Sequence, residues 1–218
     1  MRLLDLFCGA GGAAYGYHQA GFTEIVGIDI APQPRYPYEF VQADALELGG
    51  WLRYFDAIHA SPPCQAYSDL KHRTRKDYPD LIAPTRAILK ASGRPWVIEN
   101  VEGAPLEKPI MLCGTQFPEL KVLRHRLFES STALYPPSAH STMHPRVHTK
   151  DKRKAHYGRP YKPWDYVSVN GGGNCTVAQA AVAMQIGWMT KEEMNEAIPP
   201  AYTRYIGGFL VAAIEMAA

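Results

Sequence analysis

None of the four cysteines (Cys8, Cys64, Cys113, Cys175) stands in a CxxC pair, which argues against both a disulfide framework and a zinc knuckle. No long apolar run occurs. The opening Met1-Arg2-Leu3-Leu4-Asp5-Leu6-Phe7 is too short and too interrupted by charge for a signal peptide, so the expectation is a cytoplasmic protein with no membrane partner. Internal repeats and low-complexity tracts are also missing. With 218 residues, 46% of them apolar and 20% charged, the chain can bury a core without staples and has the length of one domain plus a small appendage. At least one cysteine is therefore left for its reactivity.

A net charge of only +2 hides an uneven distribution. Between His144 and Lys162, Arg146, Lys150, Lys152, Arg153, Lys154, Arg159 and Lys162 face Asp151 alone, a local +6 that leaves the rest of the chain at −4. Such a block suits a polyanion, because phosphate neutralisation and counterion release supply most non-specific nucleic-acid affinity. A solvated basic loop without a partner gives the same pattern.

Short apolar runs alternate with helical stretches, the pattern of an α/β fold whose mainly parallel sheet has helices on both faces. Strands are expected at Arg2–Phe7, Glu24–Ile28, Glu39–Val41, Ala57–Ala60, Trp96–Glu99, Val122–Phe128 and Tyr166–Val169. Helices are expected at Ala13–Ala20, Asp80–Ala91, Thr176–Gln185, Glu192–Ala197 and Tyr202–Met216, with Thr190 and Glu193 forming a capping box. Pro32, Pro34 and Pro37 replace the helix after the second strand by extended chain. From about Thr132 to Trp164, prolines interleave with bases, histidines and tyrosines. The expected division is a catalytic and cofactor-binding part over 1–131, a small irregular basic recognition lobe over 132–170, and a C-terminal segment over 171–218 that returns to the first part.

Asp5-Leu6-Phe7-Cys8-Gly9-Ala10-Gly11-Gly12 ends a strand and opens a helix, where small residues let a ligand approach the backbone. Asp29 closes the next strand and can accept from ribose hydroxyls; Asp44, after the third, can accept from an adenine amino group. Together they outline a nucleoside site, although Gly9-x-Gly11-x-x-Ala14 also fits a nicotinamide or flavin fingerprint.

Ser61-Pro62-Pro63-Cys64-Gln65 follows the fourth strand directly, so Cys64 is expected at the carboxyl edge of the sheet beside that crevice. Prolines stiffen the approach. A buried structural cysteine is the competing reading. Trp96-Val97-Ile98-Glu99-Asn100-Val101 brings an acid and an amide to the same edge. Arg124 and Arg126, on alternate residues of an expected strand, would share one face. His140, His144 and His148 recur every four residues, but Pro145 breaks any helix that would align them, so no metal is expected.

The ordered set DLFCGAGG, Asp29, Asp44, PPCQ, ENV and RxR resembles the cytosine-5 DNA methyltransferase family over almost the whole length. Ala197-Ile198-Pro199-Pro200-Ala201-Tyr202 with Ile206-Gly207 resembles its last motif, and Thr176–Trp188 a reduced form of the one before. The resemblance implies a Rossmann-like fold and transfer of a methyl group from S-adenosylmethionine to carbon 5 of a flipped cytosine in double-stranded DNA, releasing S-adenosylhomocysteine. It makes Cys64 the nucleophile, Glu99 the holder of the cytosine N3 and amino group, and Arg126 the holder of O2, with Arg124, Asn100 and Gln65 in support. Phe7 would be the stacking partner of the adenine, and with Gly9, Gly11, Gly12, Asp29, Ile30, Asp44, Ala45 and Pro62 would form the cofactor site. DNA contacts would come from Ser68, Lys71, Arg73 and Arg75 in a closing loop over Ala66–Pro79, and from Arg146, Lys152, Arg153, Lys154 and Arg159 in the lobe.

Departures are Val122 where a glutamine is usual, Ala66-Tyr67 where Gly-Phe is usual, and the small lobe. The lobe implies a short target of roughly two to four base pairs, since each good major-groove contact separates one base by roughly 1–3 kcal/mol. Compact members of this kind resemble those of phages and prokaryotes, in restriction-modification settings, and a monomer is expected. A fold-retaining binding module, a nicotinamide oxidoreductase and a methyltransferase acting on RNA remain as alternatives.

Overall fold

The computed structural model describes residues 1–67, 78–148, 160–170 and 175–217. Aliphatic runs form β1 (Arg2–Leu6), β2 (Glu24–Asp29), β3 (Glu39–Gln42), β4 (Ala57–Ala60) and β5 (Trp96–Asn100), paired in parallel in the order β3-β2-β1-β4-β5. The sheet is completed by β6 (Ile110–Leu112) and β7 (Arg126–Ser130), with β7 antiparallel to both β5 and β6. The strand order turns back between β1 and β4. In open α/β sheets the ligand crevice lies outside the carboxyl ends of the strands at such a point.

Alternation along the strands separates two apolar layers. Leu3, Ile25, Ala57 and Val97 face α1 (Gly12–Gln19), while Leu4, Leu6, Ile58 and Ile98 join Leu52, Phe55 and Leu89 on the other side. Leu89 belongs to α2 (Ile82–Ser92), and Leu52 to a 3-10 turn over Gly49–Tyr54. The C-terminal part supplies α3 (Val177–Met184), α4 (Lys191–Glu196) and α5 (Pro200–Ala217). Helix α5 crosses α1 so closely that a Cβ on Gly16 would lie 2.1 Å from both the Pro200 carbonyl oxygen and the Thr203 hydroxyl. Among the described residues no helix is long and apolar enough to cross a membrane.

The expected capping box is present, with the Thr190 side chain accepting from the Glu193 amide. No helix separates β2 from β3, as the prolines required. In its place the Tyr36 ring lies over Gly27 and donates to Asp5 at 3.2 Å.

Two expectations need correction. The strand expected over Val122–Phe128 begins only at Arg126, and Val122 instead bridges Val167. The cause is a pull toward the C-terminal segment: the Leu123 amide donates to the Val167 carbonyl, and the Arg124 guanidinium to the carbonyls of Val169 and Asn195, both at 2.6 Å. Arg124 and Arg126 therefore do not share a strand face. The strand expected over Tyr166–Val169 is outside the main sheet; β9 (Tyr166–Val167) pairs with β8 (Val147–His148) in a separate two-stranded ladder.

Candidate active site

Three strand ends meet at the crevice. After β1 the backbone turns sharply through Phe7 at φ 55°, Gly9 at φ 48° and Gly11 at φ 83°. A Cβ built on Gly9 would find no atom within 4 Å, so the turn leaves an open cradle. Asp29, at the end of β2, is held by the amides of Gly9 at 3.1 Å and Ala31 at 3.0 Å. Each carboxylate oxygen keeps a further lone pair for another donor. Beside it Ile30 is 71% exposed, an apolar surface large enough for a ring to lie on. Asp44 accepts from the Leu46 amide at 2.8 Å, and Ala45 is buried beneath. Gly12, at the start of α1, lies against the Ile198 backbone, and the Trp188 indole donates to the Ala10 carbonyl at 2.8 Å. The C-terminal segment thus closes the back of the cradle.

After β4 the chain runs through buried Pro62 to half-buried Cys64 and Gln65. The Asn100 side chain, at the end of β5, donates to the Pro62 carbonyl at 2.9 Å and fixes this loop. Glu99 is 5% exposed and lies 2.8 Å from Arg126, the first residue of β7. That approach lacks the alignment of a hydrogen bond, so Glu99 Oε1 has no donor. Burial pushes the Glu99 carboxyl up, against the pull of Arg126, a hydrogen bond from Ser61 and the charge of Arg124. Cys64 is also pushed up, first by burial and then by Glu99 and Glu196, with Arg126 opposing. The pocket therefore holds a thiol and a carboxyl that resist ionising together, and a guanidinium that favours either anion.

Sequence reasoning missed what lies beneath. Glu99, His59 and Asp5 occupy alternate positions of β5, β4 and β1 on the face toward α1. His59 bonds Tyr17 at 2.9 Å through Nδ1 and Ser61 at 2.8 Å through Nε2, so a buried polar row runs from α1 to the floor of the pocket. Burial lowers the His59 pKa to about 3, and the ring is neutral. A histidine amid the apolar Ala57-Ile58-Ala60 was the available signal. Arg124, buried and bonded to backbone carbonyls, is a positioning residue; its desolvation lowers its pKa to about 9. Arg146 is exposed. Ser68, Lys71, Arg73, Arg75, Lys152, Arg153, Lys154 and Arg159, with most of the expected closing loop, lie outside the described residues.

The family model for C-5 cytosine-specific DNA methylases matches residues 1–108. Type II methyltransferase M.HgiGI of Herpetosiphon aurantiacus is 30% identical over 121 residues, covering 50% of this chain and 96% of that protein. This chain belongs to the C-5 cytosine-specific DNA methylase family. Within that methylase match fall the cradle, Cys64 and Glu99; Arg126 and everything after it lie beyond. Type II methyltransferase M.XorII of Xanthomonas oryzae pv. oryzae is 28% identical over 123 residues, 48% of this chain but 29% of the relative, so the matched stretch spans under a third of that methylase's length. A candidate DNA modification methyltransferase encoded within a prophage (E. coli) has the same fold, with a TM-score of 0.68 at 14% identity, covering 99% of both chains.

Proposed function

We propose that this chain transfers a methyl group from S-adenosylmethionine to carbon 5 of a flipped cytosine in double-stranded DNA, with Cys64 as nucleophile. The observation that carries this reading is the meeting of half-buried Cys64, buried Glu99 and Arg126 at the carboxyl edge, next to the Gly9 cradle.

The residues present fit the cofactor. An open glycine turn, an anchored Asp29 with lone pairs to spare for two ribose hydroxyls, exposed Ile30 for the adenine ring and Asp44 for its amino group form one contiguous strip. In this reading Phe7 stacks on the adenine and Pro62 adds to the strip; the first turn of α1 carries no capping side chain, which leaves its dipole to a carboxylate. When bound, S-adenosylmethionine supplies an electrophilic methyl group.

The chain's own residues prepare the cytosine. Carbon 5 is a poor nucleophile until something adds to carbon 6. Cys64 loses its proton to water, and its sulfur bonds carbon 6; the displaced ring electrons make carbon 5 nucleophilic. Glu99, whose protonated form is favoured by burial, donates at N3 and accepts from the amino group through Oε1, which receives no hydrogen bond from the described residues. Arg126 meets the charge that develops at O2. After transfer, carbon 5 gives its proton to water, the carbon–sulfur bond breaks, and Cys64 leaves as thiolate. Reaching carbon 6 requires extrusion of the base, at a cost of a few kcal/mol.

In this reading 1–131 is the catalytic part, the basic segment 132–170 reads a short target, and 171–218 braces the cradle. The Type II names of the relatives suit a restriction-modification setting in a prokaryotic or phage-infected cytoplasm, and the protein acts as a monomer. Transfer from labelled S-adenosylmethionine to duplex DNA, with transfer RNA as competitor and bisulfite sequencing of the product, tests the substrate. Label at cytosine carbon 5 within a short site supports the assignment; label only in RNA, in adenine, or at a long interrupted motif contradicts it.

A further inference from the structure

We propose that Cys113, His125, His140 and His144 bind one zinc ion that anchors the root of the basic segment to the sheet beside Arg126. The four ligand atoms lie within 4.8 Å of one another. His144 Nε2 is 2.9 Å from His140 Nε2, 3.2 Å from His125 Nε2 and 3.8 Å from the Cys113 sulfur. Zinc–nitrogen bonds of about 2.0–2.1 Å and a zinc–sulfur bond of about 2.3 Å in a tetrahedron put ligand atoms roughly 3.3–3.6 Å apart. The observed separations straddle that range.

Hydrogen bonds among the side chains do not account for the cluster. His125 Nδ1 faces the Glu102 carboxylate at 3.0 Å, so its proton sits there and its Nε2 directs a lone pair inward. His144 Nε2 then has two imidazole nitrogens within hydrogen-bond distance, and a single ring N–H serves only one of them. A cation meets every lone pair at once. Glu102 then orients and strengthens His125 from outside, as carboxylates do for zinc-bound histidines, and the Thr115 hydroxyl donates to the Cys113 sulfur at 3.2 Å. Zinc is favoured over harder cations by three imidazoles and one thiolate, and four protein ligands close the site, as in structural centres. Binding releases the Cys113 thiol proton to solvent.

The expectation of no metal rested on Pro145 preventing a helix. No helix is needed. His140 and His144 meet across an irregular turn, while Cys113 arrives from the end of β6 and His125 from the residue before Arg126. His148 is left out and packs on the Tyr161 ring at 5.3 Å. The centre ties the 140–144 turn to the ends of β6 and β7, which the Leu112–Arg126 pairing already brings together, and it stands independently of the reading of Cys64.

Elemental analysis of the full-length protein, purified without chelator and dialysed against trace zinc, is expected to give about one zinc per chain. His144→Ala and Cys113→Ser are expected to fall below about a fifth of that, His148→Ala to keep it, and Glu102→Gln to bind about 10–100-fold more weakly. Should a ligand variant fail to fold, cobalt titration of the chelator-treated wild type replaces it; a sulfur-to-cobalt charge-transfer band supports the site. Wild-type protein holding less than about a tenth of an equivalent and giving no such band, another metal at full stoichiometry, or zinc lost only with His148 overturns the proposal.

Discussion

Cys64, which feels the charge of Arg126, and Cys113, which lies beside His125 next to it in the chain, show how neighbours decide what a sulfur does. Cys64 is half-buried, stands after the end of a parallel strand, and is set by burial and by the charges near it: Glu99 and Glu196 against its ionisation, Arg126 for it. Cys113 is fully buried, receives a hydroxyl hydrogen bond, and has ring nitrogens gathered on it from three other positions. The first arrangement leaves a lone pair facing space a substrate can enter. In the second every approach is occupied by the protein itself, which suits a ligand and not a nucleophile.

The strongest way to break that contrast is to remove each sulfur in turn. Cys64→Ala is expected to lower methyl transfer by ~10⁴-fold or more while leaving thermal stability and calorimetric cofactor binding unchanged. Cys113→Ser should reverse the pattern, with zinc and stability falling first. Equal loss of activity in both, with both still folded, would erase the distinction. Next in size, Glu99→Gln and Arg126→Ala should each cost about 10²–10³-fold in kcat, measured at saturating DNA.

Charge sharpens the contrast further. Because Glu99 raises the Cys64 pKa and Arg126 lowers it, iodoacetamide labelling of Cys64 against pH should shift to lower pH in Glu99→Gln and to higher pH in Arg126→Ala. Cys8, Cys113 and Cys175 are buried, so mass spectrometry of the labelled peptide assigns the profile. Opposite or absent shifts would mean that these groups do not face the sulfur.

Away from both cysteines, Arg86 on α2 holds Glu129 on β7 through two bonds of 2.6 and 2.8 Å, with Glu129 almost fully buried. Arg86→Ala leaves that carboxylate without its counter-charge, with the Glu107 amide still donating to it at 2.7 Å, and should destabilise by about 3 kcal/mol in denaturant titration. Smallest is Gly16→Ala, expected to cost about 1–3 kcal/mol as α5 is pushed from α1, and to weaken cofactor binding because the Ile198 turn backs the cradle. Unchanged affinity in that variant would separate the C-terminal segment from the cofactor site.

How legible these regions were follows from how they are built. The cradle and the Cys64 loop are consecutive residues at strand ends, so a strand, its turn glycines and its terminal acid could be read together, and Asp29, Cys64, Glu99 and Asn100 stand where the alternating pattern put them. Arg124 could not be placed, because its partners are carbonyls of residues 169 and 195, which no local spacing encodes. The strand over Ile110–Leu112 is three residues long and carries no period. The histidine cluster was the hardest: equal spacing pointed to His148, whereas the fold chose His125 and Cys113, from segments that meet only after β6 and β7 have paired.

The most direct test of the central claim uses duplex DNA carrying 5-fluorocytosine at the target, where no proton can leave carbon 5 and the sulfur stays attached. Incubated with S-adenosylmethionine, the wild-type protein is predicted to form a denaturation-resistant complex whose cross-linked peptide contains Cys64, and Cys64→Ala to form none. A complex formed equally by the Cys64→Ala protein, or a cross-link through another residue, would contradict the mechanism.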